Sequence, residues 1–339
     1  MNHHRVKVLS RWAILSAVIL LLVCPQSGWS QKNERVTLKW SWLYTPNLAP
    51  VILGIEKGIF KAEGIDLDLP DGRGSVKNLQ FLSTKKVLAA FVDLATAARF
   101  ITKDTPVTAV YCYFQSSPMA IVYHADLGIH TPKDLEGKKF AFVPGSASES
   151  IWPAFAKLNG VDTSKVQVVT VTGAARMTAL LNRDAGFAAA YFPDSVPILR
   201  SKGAKIGFFK YSDYGVNVLS QGIAVNDSFR KEKPDTVRRL LRGISRSVLA
   251  SIGNPDAAIS ALKKAAPLTV KNRKVALEVL GNALTLLHTE NTKSKPLGWM
   301  AREDWKQTID ILKEFGGLKN PLPLDSYYTN ELVTPVPVQ

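Results

Sequence analysis

Residues 38–64, LKWSWLYTPNLAPVILGIEKGIFKAEG, constrain this chain more than any other stretch. The start alternates apolar residues (Leu38, Trp40, Trp42), the pattern of a half-buried strand. Thr45-Pro46-Asn47 breaks the alternation with turn chemistry. Pro50 suits a first helical turn, which has no use for the N–H that proline lacks. Val51, Ile52, Ile55 and Ile59 then recur at helical spacing, with Gly58 and Gly64 as stops. Strand, polar-aromatic loop and helix N-terminus thus follow one another directly. In an open α/β sheet, ligands sit outside the carboxyl end of a strand at such a junction.

From Arg35 onward strands alternate with helices, which predicts a mostly parallel sheet. Strands are expected over 65–69, 87–91, 106–115, 120–124, 139–143, 166–171, 187–191 and 219–225. Helices are expected over 76–82 with Ser75 as N-cap, 94–102 capped by Asp93, 149–158, 174–182, 234–252, 255–265, 271–287 and 302–315. The glycine-rich loop 71–75 lacks the lysine-serine pair of a P-loop, so its glycines read as conformational. Residues 334–339, with two prolines, read as an extended tail.

Residues 1–30 have the form of an export leader: Arg5, Lys7 and Arg11, then the apolar run 12–23, then Gly28-Trp29-Ser30 with small residues for cleavage after Ser30. Such a run is short for a membrane span. Lipid anchoring through Cys24 ranks second, because Val23 is large for the residue before a lipidated cysteine. Removing Arg5, Lys7 and Arg11 takes the net charge from +15 to +12. The densest basic set, Lys231, Lys233, Arg238, Arg239, Arg242 and Arg246, falls on one expected helix without interleaved aromatics. It reads as a solvated face, and nucleic acid is not expected as a partner. Only Cys112 remains beyond the leader, which leaves no intramolecular disulfide. His124 and His130 read as surface or loop histidines with no metal spacing around them. With no GxSxG or HExxH either, no catalytic residue, metal site or cofactor is expected.

Pro46-Asn47, Ala49-Pro50 and the run Glu56-Lys57-Gly58-Ile59-Phe60-Lys61-Ala62-Glu63-Gly64-Ile65 resemble the opening of periplasmic solute-binding proteins. That family takes sulfonates, nitrate or thiamine pyrimidine precursors and feeds ABC importers. Thr131-Pro132-Lys133-Asp134-Leu135-Glu136-Gly137-Lys138 resembles its "DLKGK" element. Residues 180–193 follow its "LLxGxxDAxxxxxP" frame without gaps, although Arg183, Gly186 and Phe192 replace a glycine, an aspartate and a frequent acidic residue. Residues 83–88 also depart from the family's Gly-x-x-Asp. Ser212-Asp213-Tyr214-Gly215-Val216, Asp304-Trp305, Gly316-Gly317-Leu318 and Tyr327-Tyr328-Thr329-Asn330 resemble the pyrimidine-precursor branch.

The resemblance implies an α/β, two-lobed periplasmic-binding-protein type II architecture, with mixed sheets flanked by helices and a two-strand hinge. Lobe 1 would comprise 31–117 and 219–330, lobe 2 would comprise 118–218, and 331–339 would be the tail. It implies an exported monomer, periplasmic or extracellular, that traps a small molecule between closing lobes and docks on an ABC permease in the inner membrane. A thiamine pyrimidine precursor or related heterocycle is favoured by the aromatic loop and by Asp213-Tyr214-Gly215. An alkanesulfonate, taurine or nitrate is the alternative, favoured by the basic charge. A sensor input without transport is a third. The fungal thiamine pyrimidine synthase shares the family's fold, but its cofactor lysine falls at Val92, its histidine at Thr96, and its cysteine run in 215–225, which has no cysteine. A valine cannot form a Schiff base, so that chemistry is not expected.

The ligand-binding candidates follow from loop position and chemistry. Trp42, Tyr44 and Asn47 come from the first loop, Thr96 from the next strand–helix junction, and Gln115 and Ser117 from the first lobe crossing. Ser146, Ser148 and Glu149 open a helix whose free amides can hold a polar ligand edge, and Trp152 follows one turn on. Tyr191 and Tyr214 add aromatic faces for stacking a flat heterocycle.

Overall fold

The structure, a computed structural model, describes residues 33–337, and of residues 148–150 the backbone only. The leader, the cleavage position and Cys24 lie outside the described residues. The chain runs β1 (Glu34–Lys39), α1 (Ala49–Glu56), α2 (Ile59–Ala62), β2 (Ile65–Asp68), α3 (Ser75–Ser83), β3 (Ala89–Asp93), α4 (Leu94–Ile101), β4 (Val107–Cys112) and β5 (Met119–His124). It continues through β6 (Lys139–Phe142), α5 (Ala147–Leu158), β7 (Gln167–Thr170), α6 (Arg176–Leu181), β8 (Phe187–Tyr191), α7 (Phe192–Ser201) and β9 (Ile206–Lys210). After β10 (Gln221–Asn226) it is helical: α8 (Asp227–Glu232), α9 (Pro234–Gly253), α10 (Pro255–Ala265), α11 (Arg273–Leu284) and α12 (Arg302–Glu314).

The strands form two five-stranded sheets, ordered β2-β1-β3-β10-β4 and β7-β6-β8-β5-β9. In the first, β1 is parallel to β2 and β3, while β10 is antiparallel to β3 and β4. In the second, β6 is parallel to β7 and β8, while β5 is antiparallel to β8 and β9. Both sheets are mixed, and each receives its antiparallel strand, β10 or β5, from a chain that has just crossed from the other. The two crossings run side by side: the amides of Tyr113 and Phe114 donate to the Gln221 carbonyl, each at 2.7 Å, and Ser220 donates to the Phe114 carbonyl at 3.1 Å. These paired crossings are the two-strand hinge of a two-lobed fold.

Local chemistry explains the junctions. Asp93 ends β3 and caps α4, its carboxylate accepting from the Thr96 amide at 2.8 Å. Such a cap contributes about 1 kcal/mol. The expected cap at Ser75 is corrected. Gly74 occupies the N-cap position with φ +108°, which a side chain rarely adopts, and the Ser75 hydroxyl instead accepts from the Asp93 amide at 2.9 Å. The helix expected from residue 149 starts at Ala147. Six of the eight residues of α1, Ala49 to Gly54, are buried. There α1 lies so close to α9 that a Cβ on Gly54 would stand 1.8 Å from the Ser247 hydroxyl. The buried Glu63 carboxylate is gripped by Arg242 and Arg246 of α9. The basic set is therefore partly committed to the fold. His124 is also corrected from a surface reading: it is buried at the end of β5, with Nε2 2.7 Å from the Leu180 carbonyl.

Candidate ligand-binding cleft

The carboxyl ends of β1 and β3 face those of β6 and β8 across a cleft. In this arrangement the free space between the walls is about 50 Å³, below the usual range for small-molecule sites. One wall carries Trp40, Ser41, Trp42, Thr45 and Asn47 from the strand–loop–helix stretch, with Gly74 and Ser75 at the start of α3. The opposite wall carries Ser146 and Ala147 at the start of α5, Arg176 at the start of α6, and Tyr191 and Asp194 where β8 passes into α7. Gln221, from the second crossing, lies between them and donates to the Ser41 hydroxyl at 2.8 Å.

The walls meet closely. A Cβ on Gly74 would stand 2.4 Å from the Gly145 carbonyl oxygen. A Cβ on Gly173 would stand 2.5 Å from the Trp42 ring. The Arg176 guanidinium lies 5.3 Å from the centre of that indole, a cation–π contact between the lobes. Tyr191 Oη and Ser220 Oγ are 3.2 Å apart. Trp42 also lines an outer groove with Arg73, Pro144 and Gly173, so its indole divides the inner cleft from that surface. The lobes are closed.

Several buried polar atoms in the walls have no partner: Trp40 Nε1, Asn47 Oδ1, Ser146 Oγ and Arg176 Nε. Leaving such groups unmade costs about 1–3 kcal/mol each, and a ligand that pairs them recovers it. Asp194 is buried beside them, its carboxylate accepting from the Ser195 hydroxyl at 3.2 Å. Burial pushes its carboxyl above the ordinary range, against the pull of Arg176 and of the Ser195 bonds. Burial likewise raises the Tyr191 phenol. The cleft thus offers aromatic faces, acceptors in Asn47 and Asp194, and donors in Trp40, Ser146 and Arg176. Among the described residues, no group of three or more His, Cys, Asp or Glu is placed to hold a metal ion.

Of the residues expected from sequence, Trp42, Asn47, Ser146 and Tyr191 line the cleft. The backbones of Ser148 and Glu149 lie in the first turn of α5, and their side chains lie outside the described residues. The others stand elsewhere. Tyr44 faces an outer groove with Leu43, Ile198 and Leu268, and its hydroxyl donates to the Leu69 carbonyl. Thr96 is buried on Asp93, with its hydroxyl 2.8 Å from the carboxylate. Gln115 donates to the Trp299 carbonyl at 3.0 Å and accepts from the Thr292 hydroxyl at 2.6 Å. Ser117 Oγ accepts from the Met119 amide. Trp152 packs against Phe140, Phe155 and Phe187, and Tyr214 against Phe155 and Phe209. Sequence reasoning missed Arg176 and Asp194. A weak signal existed for both: each is a charged residue in the first turn of a helix that follows a strand of the second sheet.

The family model described as "NMT1/THI5 like" matches residues 45–258. The riboflavin-binding protein RibY of Chloroflexus aurantiacus is 24% identical over 304 residues, 88% of this chain and 86% of that protein. The formylaminopyrimidine-binding protein of Halalkalibacterium halodurans is 22% identical over 325 residues, 94% of this chain and 97% of that protein. Among solved structures, the periplasmic aliphatic sulphonate binding protein SsuA of Escherichia coli superposes with a TM-score of 0.67 at 13% identity, covering 90% of this chain and 94% of that one. That likeness is one of fold. With the family model spanning well over half of its length, the chain belongs to the NMT1/THI5-like family.

Proposed function

We propose that this chain is the exported substrate-binding protein of an ABC importer and that its ligand is a thiamine pyrimidine precursor or a related aromatic heterocycle. Residues 33–117 and 219–330 serve as one lobe and 118–218 as the other, moving about the paired crossings to open and close. Both walls come from one chain, so a monomer suffices. The closed form then docks on a membrane permease. The relatives that bind riboflavin and formylaminopyrimidine support a heterocyclic ligand.

The observation that carries the reading is the buried Asp194 carboxylate on one wall of the cleft, with the unpartnered Asn47 Oδ1 and the Trp42 indole on the other. Two acceptors and a ring face suit a flat ligand with N–H donors on its edge. Nitrate or a simple alkanesulfonate offers acceptors only and brings no donor to either group; within that alternative taurine brings one, its ammonium. Arg176 and the start of α5 at Ser146 favour that second reading, because a guanidinium and a helix N-terminus hold an oxyanion well. Synthase chemistry finds no support in the residues: Val92 is buried in β3, and Thr96 is bonded to Asp93.

A thermal-shift panel on residues 31–339 tests the reading with hydroxymethyl- and formylaminomethyl-pyrimidines, thiamine, riboflavin, taurine, alkanesulfonates and nitrate. A ligand at 100 times its dissociation constant adds about 2.7 kcal/mol. A shift with a pyrimidine or flavin is expected. A shift only with oxyanions moves the ligand to the second reading, and no shift with any compound contradicts both.

A further inference from the structure

Arg176 is the only cation among the described residues lining the cleft, and it is held there on two sides. Its Nη1 donates to the Ala189 carbonyl on β8 at 3.2 Å. Its guanidinium lies over the Trp42 indole, which Gly173 backs so closely that no side chain fits between them. It is 8% exposed, and its Nε has no partner. Among the described residues, no carboxylate comes within ion-pair distance of it, and Asp194 acts on it only through space. Burial lowers the pKa of the guanidinium, but an arginine keeps its proton. A pinned, buried cation with an idle N–H therefore faces whatever occupies the cleft. An oxygen that can only accept satisfies it, and a second cation there is repelled.

Building on the heterocycle reading, we infer that Arg176 is the specificity-determining residue of the cleft. It donates to a carbonyl or carboxylate oxygen on the ligand's substituent, so the protein takes N-heterocycles with an acylated or acidic side arm and rejects those whose side arm ends in an alkylammonium. Asp194 and Asn47 accept from the N–H donors at the ring's edge, which in the aminopyrimidines are those of the 4-amino group. Arg176 reads the side arm.

The test is calorimetric titration with three 4-amino-2-methylpyrimidines that differ only at position 5: formylaminomethyl (a carbonyl acceptor), hydroxymethyl (donor and acceptor) and aminomethyl (a cation). The wild-type order is formylaminomethyl, then hydroxymethyl, then aminomethyl, with about a hundredfold between first and last. Arg176→Met compresses that span to within about threefold and binds the aminomethyl compound more tightly than wild type does, a gain that misfolding cannot mimic. Arg176→Lys keeps the charge and keeps excluding the amine. Tight binding of all three within about threefold by wild type, or an unchanged span in Arg176→Met, overturns the role of Arg176 and leaves the heterocycle reading standing. Failure of all three to bind wild type contradicts a pyrimidine ligand and overturns this inference.

Discussion

Asp93 and Asp194 occupy matching places in the two lobes. Each lies where a central strand, β3 or β8, passes into a helix, and burial pushes each carboxyl above its ordinary range. Their partners differ. Asp93 accepts from the Thr96 amide and hydroxyl and from the Ser220 hydroxyl at 3.0 Å, so its carboxylate is committed to α4 and to the second crossing. Asp194 accepts from the Ser195 hydroxyl and from the amides of its own turn, feels the charge of Arg176 through space, and lines the cleft. The same residue type at the same kind of junction is structural in one lobe and available to a ligand in the other. Burial and a raised carboxyl do not separate the two roles, and neither does the number of hydrogen bonds; their reach does, because those of Asp93 extend to the second crossing while those of Asp194 stay within its own turn.

The largest effect should come from the committed carboxylate. Asp93→Ala removes a helix cap and leaves buried donors unpaired, and is expected to cost about 3 kcal/mol in denaturant unfolding without ligand. A loss under about 1 kcal/mol would show that Asp93 is not the structural member of the pair. Next, Gly173→Ala sets a Cβ against the Trp42 ring while its own backbone stays relaxed. Closure, and with it affinity, should fall about tenfold, with the melting temperature of the free protein unchanged. A drop in melting temperature without loss of affinity would mean that the contact serves the fold.

The available carboxylate has a pH signature. Because folding raises its pKa, the folded state holds a proton that the unfolded state has released, and stability falls as pH rises from the ordinary carboxylate value through the raised one. Asp194→Asn removes that fall. Its melting temperature should match wild type at the acid end and exceed it increasingly above, and parallel profiles would place Asp194 in a wetter setting. The smallest effect on binding belongs to residues outside the cleft. Tyr44→Ala and Tyr214→Ala should leave affinity within about twofold, while Tyr214→Ala lowers stability by about 1–2 kcal/mol through lost ring packing.

The two walls also differ in how far the sequence reveals them. The first wall is one continuous segment in which strand alternation, turn residues and helix-start proline occur in order, so Trp42 and Asn47 could be placed from spacing alone. The second wall is assembled from three helix starts at Ser146, Arg176 and Asp194, far apart in sequence and brought together by β6 and β8. Ser146 and Tyr191 are legible there from a turn and a strand end, whereas only a weak pattern separates the charged first-turn residues Arg176 and Asp194 from ordinary helix starts. Aromatic residues misled for a related reason. Trp152 shares its helix face with Phe155, three residues on, and both turn into the core of the second lobe. Tyr214 stands in a loop yet packs on that same core. Gln115 and Ser117 do lie on the crossing where they were expected, but the crossing uses their polar atoms to bond itself.

The most direct test is to titrate 4-amino-5-hydroxymethyl-2-methylpyrimidine into wild type and Asp194→Asn by calorimetry. Saturable one-to-one binding is expected in wild type, weakened tenfold to about a hundredfold in the isosteric variant with its fold intact. Equal affinity in the two proteins, with both still folded, would contradict the assignment of Asp194 as the ligand's acceptor.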